Sequence, residues 1–297
     1  MSARILITGA NGFIGSHLCR KLECKSIPFV KFEGDIQDFS NVTKQISENI
    51  KTIFHFGGIS NVTDCQNYPD KAFTVNVTGT FNILENIKRS KSQIHLIFPS
   101  TSHVYASISK NNSSILIDEG FETQPESIYS FTKFQSEHLI KYYYQNYKLG
   151  SATVLRLFNH VHKSQKGPFF FPQMISQIAS VNETTNSIKV GNLDIYRDFS
   201  TINDLLKLLL LSLNKPKNYN FEIFNVCSSQ PRLLKELTDE LAKALNKDIK
   251  FEVDPKKVRR GEPISIIGSN KKTRNYFNWE PDKLTNKEFI QKLLSDI

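Results

Sequence analysis

Tyr129 and Lys133 are the residues whose types and spacing most directly indicate chemistry. They are four positions apart, about one turn of an α-helix, so a helix would carry both on one face. A phenol by itself is a poor acid–base group near neutral pH because its ordinary pKa is about 10. A fixed positive charge nearby favours the phenolate and lowers that pKa. We therefore expect Lys133 to lower the pKa of Tyr129 and make it a usable proton donor or acceptor.

A glycine-rich turn near the start of the chain indicates a nucleotide site. The largely apolar run Arg4–Thr8 does not alternate with polar residues, as in a buried parallel strand. Gly9, Gly12 and Gly15 follow at intervals of three and lead into a segment with helical periodicity. Such glycines permit a tight turn, close approach of a pyrophosphate and close packing of helix on strand. The helix N-terminus adds free N–H groups, so this order of elements predicts dinucleotide binding.

Alternating strands and helices would position these residues. The predicted strands are Ile5–Thr8, Phe29–Phe32, Thr52–His55, Ile94–Phe98 and Thr153–Arg156. The predicted helices are Gly12–Glu23, Val42–Asn49, Lys71–Ser90 and Glu126–Tyr147. This alternation predicts right-handed crossovers and a parallel sheet covered by helices on both faces. Beyond about residue 160 the pattern breaks into shorter helices and small strands.

The composition limits the class of protein. A chain of 297 residues with 39% hydrophobic and 23% charged residues is typical of a soluble globular protein. No apolar run reaches the ~18 residues of a membrane span, and the leucine-rich segment 205–211 predicts a buried helix instead. The chain begins with a strand rather than a signal peptide, and its four cysteines lack paired metal spacing. We therefore expect reduced thiols, no metal site, no membrane partner and a cytoplasmic location.

The net charge of +9 bears on the partners of the chain. Its lysines and arginines are dispersed and lack the interleaved aromatic residues of a nucleic-acid groove. We therefore expect no nucleic-acid partner. Attraction of an anionic substrate, or solubility, accounts for the charge.

Further motifs extend the pattern over nearly the whole chain. Thr8-Gly9-x-x-Gly12-x-x-Gly15 is followed by a serine/threonine cluster before Val104-Tyr105 and then by Tyr129-x-x-x-Lys133. Together they resemble an extended short-chain dehydrogenase/reductase of the NAD-dependent epimerase/dehydratase family, which acts on nucleotide sugars. The resemblance implies an α/β fold with a doubly wound Rossmann sheet in residues 1–160, to which later segments return. A smaller α/β lobe, mainly residues 161–297, would bind the nucleotide-diphosphate sugar, and the chain would form a homodimer.

The second half of the chain narrows this resemblance. The relevant segments are Leu155-Arg156-Leu157-Phe158-Asn159-His160, Gly191-Asn192-Leu193-Asp194-x-x-Arg197-Asp198-Phe199 and Asn225-Val226-Cys227-Ser228. They are similar to stretches of GDP-mannose 4,6-dehydratases and GDP-4-keto-6-deoxymannose reductases, which serve deoxysugar and polysaccharide biosynthesis.

The resemblance assigns roles to individual residues. It implies that Thr101, Tyr129 and Lys133 are catalytic. It implies that the coenzyme is bound by Gly9, Asn11, Gly12, Phe13, Ile14, Gly15, Lys31, Glu33, Asp35, Ile36, Phe56, Gly57, Gly58, Ser100, Tyr129, Lys133 and Phe158. It implies that the substrate is bound by Ser102, His103, Asn159, Arg197 and Arg260.

The residues at the end of the second strand are compatible with either coenzyme, NADP(H) or NAD(H). An acid there accepts hydrogen bonds from the ribose 2′-hydroxyl, while a base accommodates a 2′-phosphate. Counting from the glycines places Glu33 at this position, whereas counting back from Asp35-Ile36 places Lys31 there. The resemblance favours NADP(H), because reductive biosynthesis in this family often uses it.

The residues after Thr101 distinguish between reactions in the family. Sugar 4,6-dehydratases carry acidic residues there, to remove the C5 proton and expel the 6-hydroxyl. Ser102 and His103 stand in those places here, so the resemblance implies hydride transfer without elimination. His103 is either a substrate contact or an epimerising base. The partner histidine of such a base aligns with Ser164, and His162 could replace it.

Three side chains suit a diphosphate. Arginine presents a planar fork to phosphate oxygens, which favours Arg197 first and Arg260 second. Asn159 could donate its amide to the sugar-linked phosphate. Alternatively, Arg197 pairs structurally with Asp198, and Arg260 is merely solvated.

The prediction is thus a reductase that converts a nucleotide-linked 4-keto-6-deoxy sugar, with GDP as the favoured nucleotide, into a 6-deoxy sugar. A nucleotide-sugar epimerase, acting at C4 or as a C3/C5 epimerase-reductase, is the alternative enzyme. A non-catalytic dinucleotide-binding protein is the alternative outside catalysis.

Overall fold

Six parallel strands form the central sheet of a computed structural model, which describes residues 4–46, 49–107, 116–181, 187–214, 220–258 and 263–295. The strands are β1 (Arg4–Thr8), β2 (Phe29–Lys31), β3 (Ile50–His55), β4 (Ile94–Thr101), β5 (Leu116–Ile117), β6 (Gly150–Leu157), β7 (Asn159–Val161), β8 (Ser187–Val190), β9 (Tyr196–Thr201), β10 (Phe221–Val226), β11 (Pro231–Leu233), β12 (Lys250–Val253) and β13 (Ser265–Gly268). The central sheet has the order β10-β6-β4-β3-β1-β2.

The helices either cover the two faces of this sheet or pack beside the smaller sheets. They are α1 (Phe13–Cys24), α2 (Phe39–Gln45), α3 (Val62–Asn67), α4 (Pro69–Phe73), α5 (Gly79–Ser90), α6 (Ile128–Asn146), α7 (Phe170–Ala179), α8 (Ile202–Asn214), α9 (Leu234–Ala244), α10 (Lys271–Phe277) and α11 (Asn286–Leu294). One core cluster includes Leu18 of α1 and Leu205 of α8, and the other includes Ile83 of α5 and Ile140 of α6. Burial on both faces explains the unalternated apolar strands. The predicted doubly wound α/β fold is confirmed.

Smaller sheets are formed mainly by the second half of the chain, with β5 added from the first half. Strands β11-β9-β13-β5 form one, with β7 paired to β9, and β12 pairs with β8. A third core cluster, which includes Phe171, Leu237 and Phe289, lies among α7, α9 and α11. Strand β10 and helix α8 nevertheless belong to the central sheet and its core. The division of the chain near residue 160 stays a prediction.

Two predicted helices differ from those in the structure. The helix predicted at Val42–Asn49 is α2, which begins earlier because the Asp38 carboxylate accepts hydrogen bonds from the N–H groups of its first turn. It ends at Gln45, since Ile46 is extended. The single helix predicted at Lys71–Ser90 is divided into α4 and α5 by a turn of π-helix at Thr74–Thr78.

The cysteines and helices can be compared with the expectations from composition. All four cysteines are free thiols, and only Cys24 is exposed. Within the described ranges, no helix combines the length and apolar character needed to cross a bilayer. The leucine-rich segment 205–211 lies in α8, as predicted, with most of its leucines buried.

Candidate active site

The glycine turn joins β1 to α1 through backbone contacts that leave no room for side chains. Gly9 has a positive φ of 65°, and a Cβ there would lie 2.6 Å from the backbone nitrogen of Gly57. A Cβ at Gly15 would overlap the carbonyl oxygen of Gly9. Gly12 donates its N–H to that same oxygen at 2.9 Å, and α1 begins at the next residue. No side chain caps this described helix end, so its N–H groups face outward as an anion site.

A cavity of about 570 Å³ opens beside this turn, within the size range of cofactor sites. Predicted coenzyme residues that line it are Gly9, Asn11, Gly12, Lys31, Glu33, Asp35, Ile36 and Gly57. Residues that line it but were not predicted are Thr8, Ala10, Phe32 and Gly34. Ala10, Phe32 and Gly34 lie between predicted residues and Thr8 directly precedes one, so these positions could have identified them. The glycine cradle and the cavity fit a dinucleotide.

The remaining predicted coenzyme residues lie around the cavity or beneath it. Phe13, Ile14 and Gly15 form the first turn of α1. Phe56 and Gly58 flank Gly57 after β3, and Ser100 is buried in β4. Phe158 differs, because its buried ring packs with Val104, Tyr105 and Cys227 in a core cluster. Its part in coenzyme binding stays a prediction.

A chain of buried polar groups runs from the glycine turn toward α6. The Thr8 hydroxyl accepts a hydrogen bond from the Gly57 N–H at 2.9 Å and bonds His55 Nδ1 at 2.8 Å. His55 Nε2 lies 3.1 Å from the Thr80 hydroxyl, which donates to the Asn76 carbonyl oxygen at 2.6 Å. Burial lowers the pKa of His55 to about 3, so the ring is neutral and acts as a hydrogen-bonding spacer.

Asn76, within the π-helical turn, continues the chain to α6. Its side chain accepts from the Ile59 N–H at 2.7 Å and donates to the Ile59 carbonyl oxygen at 3.0 Å. It also donates to the Thr132 hydroxyl at 2.9 Å, and the Asn76 carbonyl oxygen accepts from Ser136 at 3.0 Å. The segment after β3 is thereby fixed to α6. Single-turn π-helices are frequent at functional sites, but the sequence did not reveal this one.

Thr101 and Tyr129 meet at the carboxyl end of β4. Ser127 and Ser130 form a capping box that starts α6 and places Tyr129 in its first turn. The Thr101 hydroxyl lies close enough to the Tyr129 phenol to lower its pKa. Burial raises that pKa by more, to about 12, so Tyr129 is protonated at neutral pH. The geometry therefore offers a proton donor.

Lys133 lies one turn further along α6, but its effect differs from the prediction. Its ammonium is 4.2 Å from the centre of the Phe98 ring in β4. Burial lowers the pKa of Lys133 to about 8, against the opposing charge of Glu137. The expectation that Lys133 lowers the pKa of Tyr129 is wrong in this structure, because burial of the phenol dominates and Thr101 is the group that opposes it.

Glu137 and Arg156 form a buried ion pair one turn beyond Lys133 on α6. Arg156 donates from Nε to Oε1 at 3.1 Å and from Nη2 to Oε2 at 2.7 Å. The two side chains are 2% and 4% exposed. The guanidinium also lies over the Tyr105 ring, 4.7 Å from its centre. This pair ties α6 to β6 and thereby supports the position of Tyr129 and Lys133.

Ser102 and His103 follow Thr101 in a short 3-10 turn. The Thr101 hydroxyl accepts from the His103 N–H at 3.2 Å, and the exposed His103 ring lies edge-on to Tyr129 with centres 6.4 Å apart. His162 instead contacts α1, where its Nδ1 is 3.3 Å from His17 Nε2. The proposed proton transfer by either histidine stays a prediction.

The predicted diphosphate residues lie on or beside β9. Asn159 donates its amide to the Asp198 carbonyl oxygen at 2.8 Å. Arg197 donates from Nη1 to the carbonyl oxygens of Tyr196 at 2.8 Å and Pro263 at 3.1 Å. Arg260 lies outside the described residues, so the structure does not place it.

The Asp198 carboxylate is turned toward backbone and hydroxyl donors after β10. It accepts from the N–H and hydroxyl of Ser228 at 2.7 and 2.6 Å and from the Ser229 N–H at 2.9 Å. Burial nevertheless raises the pKa of Asp198 to about 6. This carboxylate holds the loop after β10, a role that the sequence did not indicate.

Comparisons with known proteins add to this geometry. A family model described as GDP-mannose 4,6 dehydratase matches residues 23–293. The chain is 26% identical to a GDP-6-deoxy-D-mannose reductase from Pseudomonas aeruginosa, covering 100% of this chain and 97% of that protein. It is 26% identical to a GDP-6-deoxy-D-talose 4-dehydrogenase from Aggregatibacter actinomycetemcomitans, covering 92% and 90%. It is 24% identical to a UDP-glucose 4-epimerase from Lactobacillus helveticus, covering 94% and 92%.

A solved structure shares the arrangement of the whole chain. It is that of RMD from Pseudomonas aeruginosa complexed with NADPH, which superposes with a TM-score of 0.87 at 25% sequence identity. The match covers 99% of this chain and 98% of that one. The similarity therefore extends over both the central sheet and the smaller sheets.

Proposed function

This chain belongs to the GDP-mannose 4,6 dehydratase family, and from that premise we propose that it is an NAD(P)H-dependent nucleotide-sugar 4-ketoreductase. Its substrate is a nucleotide-linked 4-keto-6-deoxy sugar, with GDP as the favoured nucleotide, and its product is the 6-deoxy sugar nucleotide. The observations that carry the proposal are the protonated Tyr129 phenol close to the Thr101 hydroxyl and, at the glycine turn, a cavity that fits a dinucleotide.

The relatives bear out the predicted class of enzyme. A GDP-6-deoxy-D-mannose reductase and a GDP-6-deoxy-D-talose 4-dehydrogenase both match nearly the whole chain. The NADPH in the similar solved structure supports NADP(H) as the favoured coenzyme, with NAD(H) retained as a candidate. The names of the two relatives are the basis on which we propose GDP as the nucleotide and C4 as the position of reduction for this chain.

Reduction of the C4 carbonyl requires a hydride at carbon and a proton at oxygen. The reduced nicotinamide supplies the hydride when it is bound. Tyr129 supplies the proton, because burial keeps its phenol protonated at neutral pH. The Thr101 hydroxyl, close to that phenol, holds the carbonyl oxygen beside it. Asn159 and Arg197 hold the diphosphate at β9.

Dehydration fits the site less well than reduction. It needs a base for the C5 proton and an acid for the 6-hydroxyl, yet Ser102 and His103 occupy the positions after Thr101. Neither side chain is a carboxylate. Membership of the family therefore does not assign 4,6-dehydration to this chain.

Epimerisation is the second candidate function. The exposed His103 ring beside Tyr129 favours it, because imidazole can move protons near neutral pH. The similarity to a UDP-glucose 4-epimerase also fits this alternative.

One incubation separates these candidates. The protein is mixed with GDP-4-keto-6-deoxymannose and either NADPH or NADH, the absorbance of the reduced nicotinamide is followed, and the product is identified by NMR. Stoichiometric loss of absorbance with formation of one 6-deoxy sugar nucleotide is expected. Conversion of a UDP-sugar without net coenzyme oxidation would favour the epimerase. Binding of coenzyme without turnover of any keto sugar would favour a non-catalytic protein.

The affinity for NADPH is expected to fall as pH rises through about 8, the value to which burial lowers the pKa of Lys133. Below that pH the ammonium attracts the anionic coenzyme, and above it the attraction is lost. Titration by nicotinamide fluorescence on either side of pH 8 measures the step. Lys133→Met should bind NADPH more weakly and show no such step. Identical pH profiles for the two proteins would remove Lys133 from the coenzyme site.

We further propose a cytoplasmic homodimer that acts in polysaccharide biosynthesis, with residues 1–160 as the coenzyme domain and 161–297 mainly as the substrate lobe. Exposed aromatic side chains on α5 and α6, Phe81 at 40% and Tyr142 at 56%, support association through these helices. The molar mass in solution, measured by light scattering, tests the dimer, and a monomer at micromolar concentration would reject it.

A further inference from the structure

Two side chains of opposite charge line the same end of the coenzyme cavity. Lys31 is the last residue of β2, where its backbone pairs with Ile7 of β1. Glu33 follows two positions later, and both residues line the cavity of about 570 Å³. A cation at this end of a Rossmann sheet favours a 2′-phosphate, whereas a carboxylate favours a 2′-hydroxyl. The cavity therefore contains a cation that suits NADPH, Lys31, and a carboxylate that suits NADH, Glu33.

The backbone of Glu33 is held from α2 by two amide side chains. Gln45 accepts from the Glu33 N–H at 2.8 Å and donates to the Glu33 carbonyl oxygen at 2.6 Å. Asn41 donates to the carbonyl oxygens of Glu33 at 2.9 Å and Asp35 at 3.2 Å. Gln45 also donates to the Asn41 Oδ1 at 3.0 Å, so the two amides act together.

Gly34 makes this close contact possible. Its φ is +89°, and a Cβ there would lie 2.5 Å from the Asn41 amide nitrogen. The loop is thus shaped to accept the amides of α2. The four hydrogen bonds to Glu33 and Asp35 involve backbone atoms only. They therefore fix the position of the Glu33 backbone, and with it the base of the exposed side chain, but make no contact with the carboxylate.

We propose that Asn41 and Gln45 are positioning residues that keep the Glu33 carboxylate at the coenzyme cavity and so limit the preference for NADPH over NADH. The inference rests on the proposed use of a nicotinamide coenzyme. Lys31 attracts the 2′-phosphate of NADPH, whereas Glu33 repels it. With NADH, the Glu33 carboxylate accepts a hydrogen bond from the ribose 2′-hydroxyl. Release of the loop lets the carboxylate move into solvent, which removes the repulsion and leaves Lys31 to act unopposed.

The experiment measures dissociation constants of NADPH and NADH by nicotinamide fluorescence, without any sugar. Glu33→Gln should raise the ratio of the NADH constant to the NADPH constant about tenfold, as expected for loss of one close like charge. Gln45→Leu should raise this ratio about threefold. The double variant Glu33→Gln/Gln45→Leu should have the same ratio as Glu33→Gln alone, because both substitutions act through the Glu33 carboxylate.

Thr43→Val is the matched control on the same helix. The Thr43 hydroxyl donates to Asn86 Oδ1 of α5 at 2.7 Å and to the Phe39 carbonyl oxygen at 2.9 Å, away from the loop. It should leave the ratio unchanged. An equal shift by Thr43→Val and Gln45→Leu, or an undiminished effect of Gln45→Leu in the Glu33→Gln background, would overturn the proposal. So would an unchanged ratio in Glu33→Gln. Failure of the unaltered protein to bind either coenzyme would instead reject the proposed function.

Discussion

Replacement of Tyr129 by phenylalanine is expected to lower kcat for keto-sugar reduction by about 10²–10⁴-fold, the range for loss of a general acid. The phenol is protonated at neutral pH because burial raises its pKa to about 12, and Thr101 holds it at the end of β4. Phenylalanine keeps the ring but cannot donate a proton to the C4 oxygen. Steady-state turnover with NADPH measures the loss, and the dissociation constant of NADPH should change little.

Tyr144→Phe is the matched control, because it removes a hydroxyl from the same helix. The Tyr144 hydroxyl donates to the Ile94 carbonyl oxygen at 3.1 Å in the core. Its loss should cost about 0.5–1.5 kcal/mol of folding free energy and leave kcat near the wild-type value. Wild-type turnover in Tyr129→Phe would show that another group donates the proton, and the exposed His103 would be the first to test.

Replacement of Glu137 by alanine is expected to lower the free energy of unfolding by about 3–5 kcal/mol, the usual cost of leaving a buried charge without its partner. Arg156 is 4% exposed and donates two hydrogen bonds to Glu137, so its guanidinium would remain buried without the carboxylate. Urea unfolding measures the change. Since Glu137 also raises the pKa of Lys133, the step in NADPH affinity should move to lower pH.

Glu240→Ala provides the comparison at the surface. Glu240 accepts from Lys243 at 2.7 Å, but Lys243 is 71% exposed, so loss of the Glu240 carboxylate should lower the free energy of unfolding far less than loss of Glu137. Joint replacement of Glu137 and Arg156 by methionine should restore part of the stability lost in Glu137→Ala, because no unpaired charge then remains. Equal losses for Glu137→Ala and Glu240→Ala would mean that water reaches Arg156.

Local patterns predicted much of the first half of the fold. The glycine turn, the apolar strands β1, β3, β4 and β6 and the helix that carries Tyr129 each depend on neighbours within a few residues. The same patterns missed the turn of π-helix at Thr74–Thr78, where Asn76 is bonded to residues distant in sequence, namely Ile59 and, on α6, Thr132 and Ser136. A helix boundary set by such distant hydrogen bonds leaves no local signal.

The candidate site shows the same division. The sequence named Thr101, Tyr129 and Lys133, and the structure places all three at the carboxyl end of β4. The sequence predicted a lowered pKa for Tyr129, whereas burial raises it. The spacing of two residues along a helix carries no information about desolvation. The amides of Asn41 and Gln45 were not recognised either, since their partners are backbone atoms of another segment.

The order of residues by itself determined the family, the parallel sheet and which residues are candidates for the reactive groups, because these depend on residue type and short-range spacing. The tertiary structure alone decided which groups are protonated, which charges are paired and which loop is held in place. Those properties depend on burial and on contacts between distant segments, as in Glu137 with Arg156 and Gln45 with Glu33. Desolvation is a sum over all surrounding atoms, so it is set only when the chain has folded.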